Sequence, residues 1–71
     1  MSIPQINVRN QFRGVVKEII EGSVVSEVDV ETPAGVFTSV ITTRSVKNLN
    51  LELGREVIVL FKSKEVALAK L

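Results

Sequence analysis

The stretch from Val24 to Thr32 constrains the fold of this 71-residue chain more than any other, because its side chains alternate in character. Successive side chains of a strand point to opposite faces, so such alternation predicts a strand with one buried and one solvated face. One parity is apolar or small and the other is acidic: Val24, Ser26, Val28 and Val30 against Glu27, Asp29 and Glu31. Antiparallel sheets with one open face are the usual setting for this kind of strand.

Four other segments contain β-branched and apolar residues between polar or turn residues, which predicts further strands. They are Phe12–Ile20, Val36–Thr42, Val57–Phe61 and Val66–Leu71. Turn signals separate the first three strands of the chain at residues 21–23 and 32–35, the second of which contains proline and glycine.

Segment Thr43–Leu49 carries no strand alternation and predicts a helix of one or two turns, with Thr43 as its N-cap. Five short strands with one helical insertion before the fourth predict an all-β fold, a small five-stranded barrel of the OB type. The sequence shows no internal repeat or linker, so residues 1–71 are expected to form a single domain.

Apolar side chains occur on both parities of the first, third and fourth predicted strands. Only one parity of a barrel strand points inward, so we expect the outward set to be buried by another copy of the chain. The composition agrees, because 45% of the residues are hydrophobic and no cysteine is available for a disulfide. Chains of this size usually need added support, and oligomerisation is the form that remains.

The composition also argues against several function classes. Without histidine or cysteine the chain lacks the commonest general base and the thiolate nucleophile, so no enzyme activity is predicted. A net charge of +1 is not the clear positive excess expected of a protein that binds nucleic acid independently of sequence. Phe12, Phe37 and Phe61 lie inside apolar strands, where core packing is expected, and an OB-type nucleic-acid-binding module stays as the alternative.

The N-terminal residues show no signal-peptide pattern, and no apolar run is long enough to cross a bilayer. We therefore expect a cytoplasmic protein with no membrane partner.

Three polar clusters interrupt the apolar strands, and each lies at or just beyond the end of a predicted strand. The clusters are Asn7, Arg9 and Asn10; Thr42, Thr43 and Ser45; and Lys62 with Ser63. They supply guanidinium, ammonium, hydroxyl and N–H donors and contain no carboxylate. A donor-only pocket with two positive charges suits a deprotonated tetrahedral dianion such as molybdate, tungstate or sulfate.

Three segments of the chain resemble the molbindins, which are small molybdenum-pterin-binding proteins of the Mop or TOBE type. Residues 7–16 are similar to the family's opening pattern: Ser-Ala-Arg-Asn, a variable residue, Leu or Phe, another variable residue, and Gly. Thr38–Val46 resembles the second segment, with a hydroxyl residue three positions before a serine. Leu53–Val57 followed by Phe61–Ser63 resembles the third, where a strand ends in Lys and a small residue.

The resemblance implies an OB-like barrel that pairs into dimers, assembled as a trimer of dimers, with molybdate or tungstate held at subunit interfaces. It implies intracellular storage or homeostasis of the oxyanion without catalysis, and molybdenum held only as its oxyanion, with no side chain bonded to the metal. By position, the binding residues are Asn7, Val8 and Arg9 of one chain and Thr42, Ser45, Lys62 and Ser63 of another, with Asn10 and Gly14 as structural support.

Two positions depart from the family pattern: Asn7 stands at the usual serine and Val8 at the usual alanine. The amide of Asn7 presents a carbonyl oxygen beside its donors, and Val8 adds two methyl groups next to the ligand. A module that assembles but no longer binds the anion is therefore a second alternative.

Overall fold

Strand β1 (Asn10–Glu21) is a long inner strand of an antiparallel sheet in the computed structural model, which describes residues 8–71. The other elements in this range are β2 (Val25–Thr32), β3 (Gly35–Thr42), helix α1 (Thr43–Asn48), β4 (Glu56–Phe61) and a 3₁₀ turn (Ser63–Glu65). The strand order is β3-β2-β1-β4. The first half of β1 pairs with β4 and the second half with β2, so β1 joins the two parts of the sheet.

Strand β1 carries a β-bulge that changes which of its residues face the core. Its register against β2 slips between Val16 and Glu18, which leaves Lys17 as the extra residue. Val16 before the bulge and Ile19 after it both contribute to the core, although their positions have opposite parity. Some apolar residues of both parities in β1 therefore pack into the same core. Ile20 does not, and its side chain is exposed.

The core is small and aliphatic. Its buried members are Val16, Val28, Val30 and Val46, with half-buried Ile19, Ile41, Leu51, Val57 and Val59 packed against them. The alternation expected for the second strand is confirmed, since Ser26 lies on the buried face and Glu27 and Glu31 are exposed. Val24 is the exception: it precedes β2, lies in the turn and is exposed.

Helix α1 begins one residue earlier than expected, because Thr42 and not Thr43 is its N-cap. Thr43 is buried, and its hydroxyl group is used elsewhere. Thr43 Oγ1 donates to the carbonyl oxygen of Gly22 at 2.7 Å and lies 2.7 Å from Ser26 Oγ. Since the single hydroxyl proton of Thr43 goes to Gly22, Ser26 must be the donor to Thr43. This network ties the start of the helix to the turn between β1 and β2.

The sheet curls at its other end, where three aromatic rings meet. Phe37 of β3 stacks on Phe61 of β4 with ring centroids 5.7 Å apart, although β3 and β4 are opposite edges of the sheet. Phe12 of β1 stacks on both rings. Between β3 and β4 the curled sheet leaves an open apolar trough of about 220 Å³, which Ile41 and Val57 help to line.

The expectation of a fifth strand over Val66–Leu71 is wrong for the described chain. These residues follow the 3₁₀ turn without forming a strand and are exposed, Leu68 by 93%. A strand forms only where a neighbour pairs its backbone groups, and no described strand pairs with this segment.

The outer surface of β3 is apolar, as expected for a strand with apolar residues on both parities. Val36 and Val40 are 49% and 63% exposed, whereas Phe37 and Ile41 on the opposite parity are half-buried. Strand β4 is expected from the sequence to be buried on both faces. In one protomer, residues 57–59 are only half-buried.

Candidate oxyanion site

Arg9 and Lys62 each adjoin the last residue pair of β1 and β4, at one end of the sheet. The pairing of β1 with β4 ends at Asn10 opposite Phe61, so the next residues outward on the two chain segments are Arg9 and Lys62. This pairing also explains why β1 begins at Asn10, two residues earlier than expected. Both cations are exposed. Two positive charges at adjacent strand ends create a field that attracts a dianion.

The segment that enters β1 is held by a side-chain hydrogen bond. Gln11 Nε2 donates to the carbonyl oxygen of Val8, and the chain bends at Arg9 between them. Val8 is half-buried, as is Asn10 at the first position of the strand. Asn7 lies outside the described residues, so its expected binding role stays a prediction.

The 3₁₀ turn fixes the positions of Lys62 and Ser63 directly after β4. Lys62 is the N-cap of the turn and Ser63 is its first residue. The N–H of Glu65 donates to the Lys62 carbonyl oxygen at 2.9 Å, and the N–H of Val66 donates to the Ser63 carbonyl oxygen at 3.2 Å. These bonds engage two carbonyl acceptors, while the ammonium of Lys62 and the hydroxyl of Ser63 are exposed at the surface.

Thr42 and Ser45 form a second group at the start of α1. Thr42 Oγ1 accepts a hydrogen bond from the N–H of Ser45 at 3.1 Å and donates to Ser45 Oγ at 2.9 Å. Because Ser45 Oγ accepts this bond, its own O–H can donate outward. A surface depression next to the two hydroxyls is lined by Ser23, Val24, Thr42 and Arg44.

Arg44 is a cation that the sequence patterns do not single out. It is exposed and lines the same depression as Thr42. The matching family segment emphasises hydroxyl residues, so the arginine between Thr43 and Ser45 attracts no notice there. Its position inside a polar cluster at a strand end was the available signal.

The two groups lie at opposite ends of β1. Thr42 ends β3 next to the start of β2 and the end of β1, whereas Arg9 and Lys62 flank the start of β1. A straight strand of 12 residues would span up to about 40 Å at about 3.3 Å per residue. Within one protomer the strand registers therefore place Lys62 just beyond the start of β1 and Thr42 near its far end.

Gly14 allows β1 to approach β2 closely near this end of the sheet. A Cβ atom at Gly14 would lie 2.6 Å from the Glu31 carbonyl oxygen and 2.6 Å from Val30 Cγ1. It would also lie 2.8 Å from Thr32 Cγ2. Real Cβ atoms do not approach a backbone atom so closely, so a larger residue would push the strand that carries Arg9 away from β2.

Among residues 8–71, no three Asp, Glu, His or Cys side chains gather as a metal-ion site requires. None of the helices in that range is long and apolar enough to span a membrane. The chemistry that the described site offers is charge and hydrogen-bond donation from guanidinium, ammonium and hydroxyl groups.

Comparison with known proteins identifies the family. The TOBE domain family model matches residues 6–68. The chain belongs to the TOBE domain family. This TOBE domain is 38% identical over 63 residues to a probable molybdenum-pterin-binding protein of Haemophilus influenzae, covering 87% of the chain and 91% of that protein. It is 43% identical over 61 residues to the molybdenum transport protein ModE of Azotobacter vinelandii, covering 84% of the chain but 23% of ModE.

Solved structures share the fold of this TOBE domain. MopII from Clostridium pasteurianum aligns with a TM-score of 0.86 and 34% identity, over 93% of this chain and all (100%) of MopII. A molybdate binding protein from Sporomusa ovata gives 0.87 and 31%, over 94% and 100% of the two chains. The cytoplasmic molybdate-binding protein ModG, with molybdate bound, gives 0.78 and 36%, over 84% of this chain and 43% of ModG. The molbindin-type, OB-like fold expected from the sequence is confirmed, with four strands instead of five in residues 8–71.

Proposed function

We propose that copies of this chain assemble and bind molybdate, or the similarly shaped tungstate, at the seams between them, storing or buffering the oxyanion without catalysis. The observation that carries the proposal is the placement of Arg9 and Lys62 at adjacent strand ends. Their two positive charges balance one tetrahedral dianion, and molybdate is the ligand bound to ModG, a protein of similar fold. ModG is described as cytoplasmic, and we propose the same location for this chain.

A seam between copies would complete a site that one copy leaves open. The cations Arg9 and Lys62 are exposed on one side, and Thr42 and Ser45 present hydroxyls at the other end of β1. A tetrahedral anion is held best by donors from several directions in a site that excludes water. Bringing the hydroxyl end of one copy against the charged end of another would supply those directions.

The unpaired parts of the protomer support assembly. Strands β3 and β4 are the edges of the sheet, and the trough between them is apolar. Such edges readily pair with another chain. Residues 66–71 have no strand partner within the described chain and expose Leu68. We propose that this segment of one copy pairs with an open edge of a second copy, in a homodimer that assembles further into a trimer of dimers.

Leu68→Glu tests the assembly, with Ala69→Glu as the control. If Leu68 is buried in a seam, a carboxylate there shifts the sedimentation profile toward single subunits, because burying an unpaired charge is costly. Ala69→Glu adds the same carboxylate on the opposite face of a paired strand and should leave the profile unchanged. Equal profiles for both variants and the wild-type chain would assign the seam to other residues.

Calorimetric titration with molybdate, tungstate and sulfate tests the binding function. The expected result is saturable binding of molybdate or tungstate at micromolar concentration. An assembled protein that gives no heat with any of the three anions would be an assembly module without an anion site. A salt-sensitive complex with single-stranded DNA and no anion binding would favour the nucleic-acid alternative.

A further inference from the structure

Gln11 has a side chain that acts on the turn carrying Arg9. It belongs to β1, opposite Leu60 of β4, and it is half-buried. Its Nε2 donates to the carbonyl oxygen of Val8, three residues earlier. The bond closes a short loop that contains Arg9 and Asn10, so it restricts the backbone from which the guanidinium projects.

The same bond engages an acceptor next to the charged end of the sheet. A carbonyl oxygen carries partial negative charge and repels a dianion that approaches it. With the Gln11 amide bound to it, the Val8 oxygen is compensated by a donor. Because the Val8 carbonyl oxygen is already hydrogen-bonded, an anion that approaches Arg9 and Lys62 meets mainly hydrogen-bond donors at this end of the sheet.

We infer that Gln11 is a positioning residue of the oxyanion site, which orients Arg9 and neutralises the carbonyl oxygen of Val8. This inference rests on the proposed function, since it concerns the same site. Gln11 does not touch the ligand in this arrangement but acts through Val8 and Arg9. The family's opening pattern has a variable residue at this position, so the pattern itself gives no hint of the role.

The test compares Gln11→Met with Thr38→Val by calorimetric titration of molybdate. Methionine keeps the length of the side chain and removes the donor. The loss of one net hydrogen bond predicts binding between about twofold and about tenfold weaker than wild type. Thr38→Val removes an exposed hydroxyl that donates to Asp29 Oδ1 at 2.7 Å, and should bind molybdate as the wild-type chain does.

A second comparison separates positioning from a general structural effect. Lysine at position 9 keeps the charge but not the planar fork, whose orientation matters most for hydrogen bonding. In an Arg9→Lys background, Gln11→Met should therefore weaken binding by a smaller factor than in the wild-type background. If Gln11→Met weakens molybdate binding by the same factor in both backgrounds, Gln11 does not act by orienting Arg9.

The outcomes distinguish this inference from the proposed function. If the wild-type chain does not bind molybdate, both the proposed function and the inference about Gln11 are wrong. Wild-type binding with an unchanged affinity for Gln11→Met overturns the inference alone. If Gln11→Met does not fold, hydrogen exchange of the Gln11 side-chain amide in the wild-type protein decides: one slowly exchanging proton supports the bond to Val8, and exchange at the rate of a solvated amide overturns it.

Discussion

The two ends of strand β1 are built in different ways. At the start of the strand, Arg9 and Lys62 are exposed, and a side-chain bond holds the neighbouring turn. At the far end, Ser26 and Thr43 are 1% and 7% exposed and form a buried hydrogen-bond network with the Gly22 carbonyl. One end displays charge to solvent, and the other uses hydroxyls to fasten a helix to the sheet.

Because of this difference, substitutions at the two ends of β1 should affect different properties: anion binding at the start and stability at the far end. Exposed charges add little to the free energy of unfolding, so substitutions at the start of β1 should alter anion binding and leave the fold intact. Buried hydroxyls that lose a partner remain desolvated, so substitutions at the far end should lower stability. Thr42 lies between the two cases, because it is both a predicted binding residue and the cap of α1.

The largest effect is expected for Arg9→Ala. Hydrogen bonds to charged groups contribute about 1.5–3 kcal/mol, which corresponds to molybdate binding roughly 10- to 150-fold weaker. The melting temperature without anion should not change, because the Arg9 side chain is exposed. Arg55→Ala, which removes an exposed arginine from the turn before β4, is the control and should bind as the wild type does. Full affinity in Arg9→Ala would break the assignment of binding to this end.

The next effect in size is on stability, for Thr43→Val. This change leaves the Gly22 carbonyl without its donor and Ser26 without its acceptor, at a cost of about 1–3 kcal/mol. A small domain loses about 4–8 °C in melting temperature per kcal/mol. Calorimetric melting at one protein concentration checks the prediction, with the exposed Thr38→Val as control. Equal melting of the two variants would contradict the contrast between the ends.

A smaller effect is expected for Ser26→Ala. It removes the donor to Thr43 Oγ1 but leaves the bond from Thr43 to the Gly22 carbonyl in place. The expected loss is about 1 kcal/mol, close to the net value of one hydrogen bond. In the Thr43→Val background the same change should cost less, because its partner is already gone. Additive losses of the two changes would show that the hydroxyls are not coupled.

An effect similar in size to that of Ser26→Ala is expected for Thr42→Val, compared with Thr42→Ser. Valine removes the cap of α1 at a cost of about 1 kcal/mol, and serine retains an oxygen that can cap. If Thr42 also faces the anion in the assembled protein, valine should weaken molybdate binding and serine should preserve it. Lower stability with unchanged molybdate affinity would restrict Thr42 to its structural role.

Much of the fold follows from local sequence patterns. The alternation over β2 and the turn at Pro33 are local properties, and both were predictable. The bulge at Lys17 was not, because parity along one strand does not reveal where its partner slips. The sequence predicts Thr43 as the N-cap, and only the buried contact to Ser26 shows that this hydroxyl is engaged elsewhere. The segment 66–71 has strand composition, but composition supplies no neighbour to pair with.

The candidate site was predictable in its chemistry more than in its arrangement. Donor-rich clusters at strand ends point to Arg9 and Lys62, and the register of β1 against β4 places both at the same end of the sheet. The same register places Lys62 far from Thr42 within a protomer, which a position-by-position likeness does not reveal. The bond between Gln11 and Val8 depends on a bend in the backbone, and residue types alone do not specify it.

The most direct measurement is native mass spectrometry of the full chain with and without molybdate, since it reports subunit number and bound anions together. The account predicts an assembly of several subunits that gains molybdate at micromolar concentration and loses most of it in Arg9→Ala. A single subunit that takes up no molybdate at that concentration would contradict it.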